Sequence, residues 1–109
     1  MKNHRSLSYS ASLILKVIAD GCQYGFDIMD ITGLPSGTVY PALRRLESAG
    51  FLTSKWEAER TARDEQRPAR KYYQITRPGQ KALAEAINRY RALQLVSASG
   101  LKDVRPREA

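Results

Sequence analysis

The segment from Gly33 to Gly50 strongly constrains the fold, because its residue pattern predicts one helix with both of its ends and both of its faces. Ser36 is suited to cap the N-terminus of this helix by accepting hydrogen bonds from its first backbone amides. Gly50 stands where a left-handed C-terminal cap is needed. One face carries apolar side chains at helical spacing, namely Val39, Ala42, Leu43 and Leu46. The other face carries hydroxyl and guanidinium groups together with a proline, namely Thr38, Tyr40, Pro41, Arg44, Arg45 and Ser48.

Hydroxyl and guanidinium groups hydrogen-bond both phosphates and base edges, so this helix has the makeup of a DNA-recognition helix. For the segment alone, an ordinary surface helix with a solvated polar side is the alternative. The chain as a whole carries 18 Lys and Arg against 11 Asp and Glu, a formal charge of +7. This charge favours a polyanionic partner such as nucleic acid or an anionic membrane surface, with a merely basic soluble protein as the alternative.

Length and cysteine content narrow the class of protein. At 109 residues the chain fits one domain with a single core. Its one cysteine, Cys22, cannot form an internal disulfide, which fits a cytoplasmic protein. The most apolar early run, residues 11–19, is interrupted by Lys16 and is shorter than the ~18 residues that a membrane span needs. We therefore expect a cytoplasmic protein without a membrane partner.

Two further helices precede the recognition segment. Ser8 can cap a first helix that runs to about Asp20, and a second runs from about Tyr24 to Thr32. The inner side of the first is expected to carry Leu13, Ile14, Val17 and Ile18, and the second is expected to bury most of Phe26, Ile28, Met29 and Ile31. Helix, short helix, glycine-containing turn and polar-faced helix is the order of a helix-turn-helix, whose last helix enters the major groove.

The period changes after Gly50, where residues 51–58 and 70–76 both alternate and are rich in β-forming residues. We predict two strands joined by a basic link, residues 59–69, and call these two strands and their link the wing. A basic tip can lie along a phosphate backbone or place an arginine in the minor groove. The alternative is a surface hairpin whose charges are solvated. At least one of Tyr72 and Tyr73 should be core, and Trp56 is open between cross-strand packing and a ligand pocket, with packing favoured.

A last helix is predicted from Thr76, as N-cap, to about Ser97. One side carries an apolar stripe, namely Leu83, Ile87, Tyr90, Leu93 and Val96. About 20 residues of helix extend ~30 Å, longer than a small core can cover, so the stripe predicts a twofold homodimer contact. Packing against the first helix is the alternative for its first two turns. The predicted division is residues 1–76 for the winged helix-turn-helix, 77–98 for the dimerisation helix and 99–109 for a disordered tail.

Four stretches of this chain resemble the PadR family of bacterial transcriptional regulators: residues 25–28, 37–47, 50–52 and 70–76. The resemblance covers roughly residues 13–91. It implies a mostly α fold with a two-stranded β wing, a winged helix-turn-helix dimer, and usually a repressor acting on a palindromic operator. It also implies a small aromatic effector that releases the DNA. Because this chain stops soon after one C-terminal helix, it resembles the compact branch of the family.

The predicted DNA contacts lie on the recognition helix and the wing. Gly37 permits close backbone approach, and Arg44 is suited either to a bidentate contact with guanine, worth ~1–3 kcal/mol, or to a phosphate. Pro41 removes a backbone donor at a cost of up to ~3 kcal/mol, which a position near the first turn reduces. The predicted contacts are Ser36, Gly37, Thr38, Tyr40, Pro41 and Arg44, with Tyr24, Arg60, Arg63, Arg67, Arg70 and Lys71 as second-tier backbone contacts.

Other classes of function have weaker support in the residues. The single histidine, His4, stands in a loose terminus, and neither a phosphate loop nor a nucleophile with its base is present, so we predict no enzyme, cofactor or metal site. A winged-helix adaptor for other proteins is a more serious alternative, but it would expose apolar anchors on the outer face of the recognition helix. A small-molecule sensor that does not read DNA is the third.

Overall fold

The computed structural model of the chain describes residues 6–95. Its elements are α1 (Tyr9–Ala19), α2 (Gly25–Thr32), α3 (Ser36–Ser48), β1 (Leu52–Trp56), α4 (Glu59–Asp64), β2 (Lys71–Ile75), α5 (Arg77–Arg89) and a 3₁₀ segment (Arg91–Leu95). The mostly helical fold with a two-stranded antiparallel wing is confirmed.

The first three helices enclose the core. Ser8 caps α1 as predicted, with its Oγ accepting from the Ala11 amide at 3.1 Å. α2 ends at Gly33, whose φ of 76° is left-handed. Fully buried side chains from all three helices meet between them, namely Ile14, Leu15, Val17, Ile28, Val39 and Leu43. The apolar face of α3 is therefore held against α1 and α2, and its polar face is left outside.

The boundaries of α3 differ from the prediction at one end. Pro35, not Ser36, is the N-cap, and no side chain caps the helix. The Pro35 backbone is extended and its carbonyl accepts from the amides of Thr38 and Val39, so the helix begins one residue earlier than predicted. Pro41 lies in the second turn rather than near the first, which leaves the Gly37 carbonyl without its usual helical donor. Gly50 has the predicted left-handed backbone, with φ of 85°.

The wing strands pair from Leu52 opposite Ile75 to Trp56 opposite Lys71. A third piece of chain joins them, because the amide of Tyr73 donates to the carbonyl of Gln23 at 2.9 Å just before α2. The first half of the basic link between the strands forms the short helix α4, for which no element was predicted. The wing is thus attached to the helix-turn-helix through the residues that lead into α2.

The junction between β2 and α5 is built around Thr76 and Gly79. Thr76 caps α5 as predicted, accepting from the Gly79 amide at 3.1 Å, and its hydroxyl donates to the Gly50 carbonyl at 2.6 Å. A Cβ at Gly79 would overlap the carbonyl oxygen of Phe51. Only glycine therefore allows α5 to start this close to the backbone that opens β1.

The C-terminal helix is shorter than predicted, since α5 ends at Arg89 instead of running to about Ser97. Its apolar stripe is used within the chain: Leu83 and Leu93 are buried, and the hydroxyl of Tyr90 donates to the Leu7 carbonyl at 3.0 Å. Ile87 also packs against the core. These four predicted dimerisation residues therefore do not form an exposed stripe, because the chain bends after Arg89 and covers its own apolar face. Val96 and the predicted tail, residues 99–109, lie outside the described residues.

Candidate nucleic-acid interface

The outer face of α3 is open to solvent. Ser36, Gly37 and Arg44 are exposed, Tyr40 is 39% exposed, and Thr38 and Pro41 are half-buried. Within residues 6–95, neither Arg44 nor Arg45 forms an ion pair. The helix therefore presents two guanidinium groups without an ion-pair partner near its C-terminal end, and backbone amides that favour an anion at its exposed N-terminal turn.

An open cleft of about 750 Å³ lies between the start of α2, the outer face of α3 and the wing. Arg44 lines it from α3, and Arg70 and Lys71 line it from the wing. Tyr24, Tyr40 and Arg67, three more of the predicted contacts, also belong to its walls. Folding thus collects residues that are up to 47 positions apart in the chain, from Tyr24 to Lys71, around one space.

The other predicted contacts stand outside this cleft. Ser36, Gly37 and Thr38 occupy the first turn of α3, and Pro41 lines a shallower depression on the outer side of the same helix. Arg60 and Arg63 are exposed on α4 and line neither space. The recognition helix and the base of the wing are brought together, whereas the α4 arginines stand apart from them.

Arg70 is held against the face of an aromatic ring. Its Cζ lies 4.6 Å from the ring centroid of Tyr24, the residue that precedes α2. The Tyr24 ring in turn lies 5.0 Å from that of Tyr72. A hydrogen bond with Tyr24, together with burial, raises the pKa of the Tyr72 hydroxyl. The two rings and the guanidinium tie the wing to the helix-turn-helix.

Lys71 and Trp56 form the rim of the cleft. The Nζ of Lys71 lies 5.7 Å from the Trp56 ring and 5.9 Å from that of Tyr73. Trp56 is 64% exposed, so the favoured prediction of cross-strand packing is wrong for most of its surface. Tyr73 is the tyrosine that enters the core, and burial, with a smaller effect of Glu47, raises the pKa of its hydroxyl.

Arg67 has an internal partner. Its Nη1 and Nη2 donate to the two carboxylate oxygens of Glu57 at 2.6 and 2.9 Å, and Glu57 is buried. The Arg67 guanidinium, aided by the Arg70 amide and opposed by burial, lowers the pKa of Glu57 to about 2, and Glu57 raises the pKa of Arg67. The predicted wing-tip arginine is thus neutralised by its own wing. Ten residues separate the pair, and no local pattern in the sequence marks it.

Two residues of α2 were not recognised in the sequence. A Cβ at Gly25 would lie 2.6 Å from Cε1 of Tyr40, so the absence of a side chain there gives the Tyr40 ring its place. Phe26 was expected to be mostly buried but is 71% exposed and forms part of the cleft wall. A glycine directly after Tyr24 is a signal in the sequence that could have indicated a close approach. No sequence signal indicates that Phe26 points outward.

Within the described part of the chain, no group of three His, Cys, Asp or Glu side chains is arranged to hold a metal ion. None of the helices in residues 6–95 is long and apolar enough to cross a membrane.

Comparison with known proteins places this architecture. Residues 14–85 match the model of the transcriptional regulator PadR-like family. A PadR family transcription regulator from Clostridium difficile R20291 is 27% identical with a TM-score of 0.67, the match covering 80% of this chain and 92% of that one. A PadR-like transcription factor from Bacteroides fragilis is 27% identical with a TM-score of 0.64, covering 78% and 82%.

A protein of Streptococcus mutans UA159 is 26% identical with a TM-score of 0.66, and the match covers 98% of this chain and all of that one (100%). A comparison with curated protein sequences gives no match. The family model covers most of the helix-turn-helix, the whole wing and most of α5. This chain belongs to the PadR-like family of transcriptional regulators.

Proposed function

We propose that this protein regulates transcription by binding double-stranded DNA at a specific sequence, with α3 in the major groove and the wing against the neighbouring backbone. The observation that carries the proposal is the convergence of Arg44, Arg70 and Lys71 on one cleft beside the open face of α3. Cations from two separate elements on one surface can serve a groove and its flanking phosphates together.

Different parts of this surface serve different tasks. The first turn of α3, with Ser36 and Gly37, offers backbone amides to a phosphate, and Gly37 has no side chain to hold the DNA away. Arg44 reads a guanine or clamps a phosphate, and Thr38, Tyr40 and Pro41 line the groove beside it. Arg70 and Lys71 neutralise backbone phosphates and supply affinity without sequence preference. Tyr24 supports Arg70 from below. Arg60 and Arg63 contribute at longer range.

The outer face of α3 also bears on the adaptor alternative. An adaptor would expose apolar anchors there, whereas this face carries Arg44, Arg45 and Ser48. DNA is therefore the better partner for this helix.

We further propose that the protein acts in the cytoplasm as a homodimer that represses from a palindromic operator. A twofold dimer places two recognition helices one helical turn apart, which matches two half-sites. Leu83 and Leu93 are buried in their own chain, so contact through them requires the segment after Arg89 to exchange between subunits. Replacement of Tyr90 or Leu93 by Glu should then give monomers by mass in solution. An unchanged dimer mass would place the interface elsewhere.

The cleft also supports a small aromatic effector. Phe26 and Trp56, 71% and 64% exposed, form part of its walls and offer faces for a planar ligand. A ligand there would occupy the space next to Arg44 and Lys71 and would displace DNA. Quenching of Trp56 fluorescence by planar aromatic compounds, together with release of DNA by the same compounds, tests this role. A broad panel without quenching would count against it.

The central experiment measures binding of the protein to a fluorescent library of fragments from its own genome at several salt concentrations. Arg44→Ala should abolish selection of a site. Arg77→Ala is the matched control, because Arg77 is an exposed arginine at the opposite end of β2 from the cleft. Tight selection of a palindromic site that Arg44→Ala loses and Arg77→Ala keeps would support the proposal. Weak, uniform binding that disappears near physiological salt would overturn it.

A further inference from the structure

Glu57 organises the chain that leads into the second wing strand. Its carboxylate accepts from both terminal nitrogens of Arg67 and, through Oε1, from the Arg70 amide at 3.1 Å. Its own amide donates to the Arg70 carbonyl at 2.7 Å. We call this set of contacts among Glu57, Arg67 and Arg70 the Glu57 clasp. Both backbone groups of Arg70 are thus bound to one buried residue.

The clasp holds the backbone of Arg70 directly before the first residue of β2. With its amide and carbonyl held, Arg70 projects its guanidinium over the Tyr24 ring at 4.6 Å, on the wall of the cleft. The segment has little apolar support, since Ala62 is the one buried apolar residue between Glu57 and Arg70. Polar contacts therefore stabilise the segment from Glu57 to Arg70, whereas an apolar core stabilises α3.

We infer that Glu57, an acidic residue in a protein that binds a polyanion, is a positioning residue for DNA binding and acts through Arg70. This inference rests on the proposed function. The expected effect of Glu57 on DNA affinity is opposite to the usual effect of an acidic residue. Removal of an acidic charge from a DNA-binding protein ordinarily strengthens its attraction to DNA, but loss of the Glu57 charge should weaken it. The carboxylate holds a cation in place, and that effect exceeds its own repulsion of phosphates.

The test measures DNA affinity and its salt dependence for the full chain and for Glu57→Gln. Glu57→Gln keeps the side-chain size but loses the charge that holds Arg67. We expect affinity to fall about tenfold, the effect of one charge-assisted contact. The slope of log affinity against log salt should fall by about one, as on loss of one phosphate contact. Glu59→Gln, an exposed carboxylate two residues on, is the matched control and should bind as tightly as the wild type or more tightly.

A double-mutant cycle with Arg70→Ala separates positioning from general destabilisation. If Glu57 acts through Arg70, Glu57→Gln should cause no further loss of DNA affinity in the Arg70→Ala background, and binding there should be equal or slightly tighter. Circular dichroism at the binding temperature confirms that each variant is folded, and Arg67→Lys serves as a second variant if Glu57→Gln does not fold. Arg67→Lys keeps the charge but loses the bidentate contact.

The outcomes distinguish the two levels of the proposal. A loss in Glu57→Gln that vanishes in the Arg70→Ala background supports the inference. Unchanged or tighter binding by Glu57→Gln overturns it, as does a loss that persists in full without Arg70. If the wild-type chain selects no DNA at all, the proposed function fails first, and the inference fails with it.

Discussion

Helix α3 and the wing segment from Glu57 to Arg70 face the same cleft but are held by different forces. α3 buries Val39, Leu43 and Leu46, each no more than 3% exposed, against two other helices. The wing segment buries one small apolar side chain, Ala62, and depends on the Glu57 clasp. Apolar burial is spread over many contacts, whereas an ion pair fails when either partner is lost.

This difference has a functional consequence. Damage to the support of α3 should unfold the protein, because the same side chains form the core. Damage to the support of the wing should leave the core folded at neutral pH, with a smaller loss of stability, and should change mainly how the cations of the wing are presented. The two halves of the interface can therefore be broken separately.

The largest expected effect is on the α3 side. Leu43→Ala should lower the free energy of unfolding by about 2–5 kcal/mol, because Leu43 is 1% exposed and its removal leaves a cavity. Arg44→Ala, on the next residue and exposed, should change it by no more than about 0.5 kcal/mol. Urea unfolding measures both. A loss below about 1 kcal/mol for Leu43→Ala would mean that apolar burial does not hold α3.

A pair of glycines tests the junction that connects the wing to α5. Both Gly79 and Gly37 lie in the first turn of a helix, but a Cβ at Gly79 meets the Phe51 backbone while one at Gly37 meets nothing within 4 Å. Gly79→Ala should cost about 1–3 kcal/mol of unfolding free energy through overpacking. Gly37→Ala should gain up to about 1 kcal/mol from reduced backbone entropy in the unfolded chain.

Thermal or urea unfolding of the two variants gives the comparison directly. For Gly37→Ala, stability and DNA affinity should change in opposite directions. Gly37→Ala is expected to be more stable yet to bind DNA more weakly, because its methyl group stands on the face proposed to meet the groove. Equal stability changes in the two variants would remove the argument for a close backbone contact at Gly79.

The support of α3 could be predicted from the sequence, whereas that of the wing segment could not. The apolar period of α3 and the glycines at positions 33 and 50 are local signals, so the helix was predicted to within one residue at its start. The pairing of Glu57 with Arg67 was not predictable, because it depends on a turn through α4 that brings together residues ten positions apart. Arg67 in the sequence looks no different from Arg63, and only the fold separates them.

The structure differs from the sequence prediction in two other places, in α5 and in α2, and tertiary contacts explain both differences. The apolar spacing of Leu83, Ile87, Tyr90 and Leu93 fits one long helix, but it fits equally well a helix that ends at Arg89 and a 3₁₀ segment that buries Leu93. In α2, the density of apolar residues indicated burial but not which side chain is left outside, and Phe26 is the one that is most exposed. Periodicity identifies faces, and tertiary contacts decide what covers them.

Acid should weaken the wing support. The pKa of Glu57 is lowered from 4.5 to about 2, chiefly by its hydrogen bonds from Arg67, so the stabilisation is fully present above about pH 4.5. It is lost as the pH falls toward 2, because the unfolded chain takes up the proton first. The difference in unfolding free energy between the wild type and Glu57→Gln should be constant from pH 7 to about 5 and shrink below about 4.5. Urea unfolding across this range measures it, and a constant difference down to about pH 2.5 would contradict the role of the pair.

The smallest expected effect concerns the exposed tryptophan of the wing. Trp56→Ala should lower the free energy of unfolding by only about 0.5 kcal/mol, the value of a cation–π contact with Lys71 at an exposed site. Tyr73→Ala, on the facing strand and 7% exposed, should cost several times more. Urea unfolding of both variants is followed by circular dichroism, because Trp56 is the only tryptophan of the chain and its replacement removes the tryptophan fluorescence signal. A cost for Trp56 equal to that for Tyr73 would show that the Trp56 ring is packed despite its exposure, and apolar support would then extend along β1 as far as the residue next to Glu57.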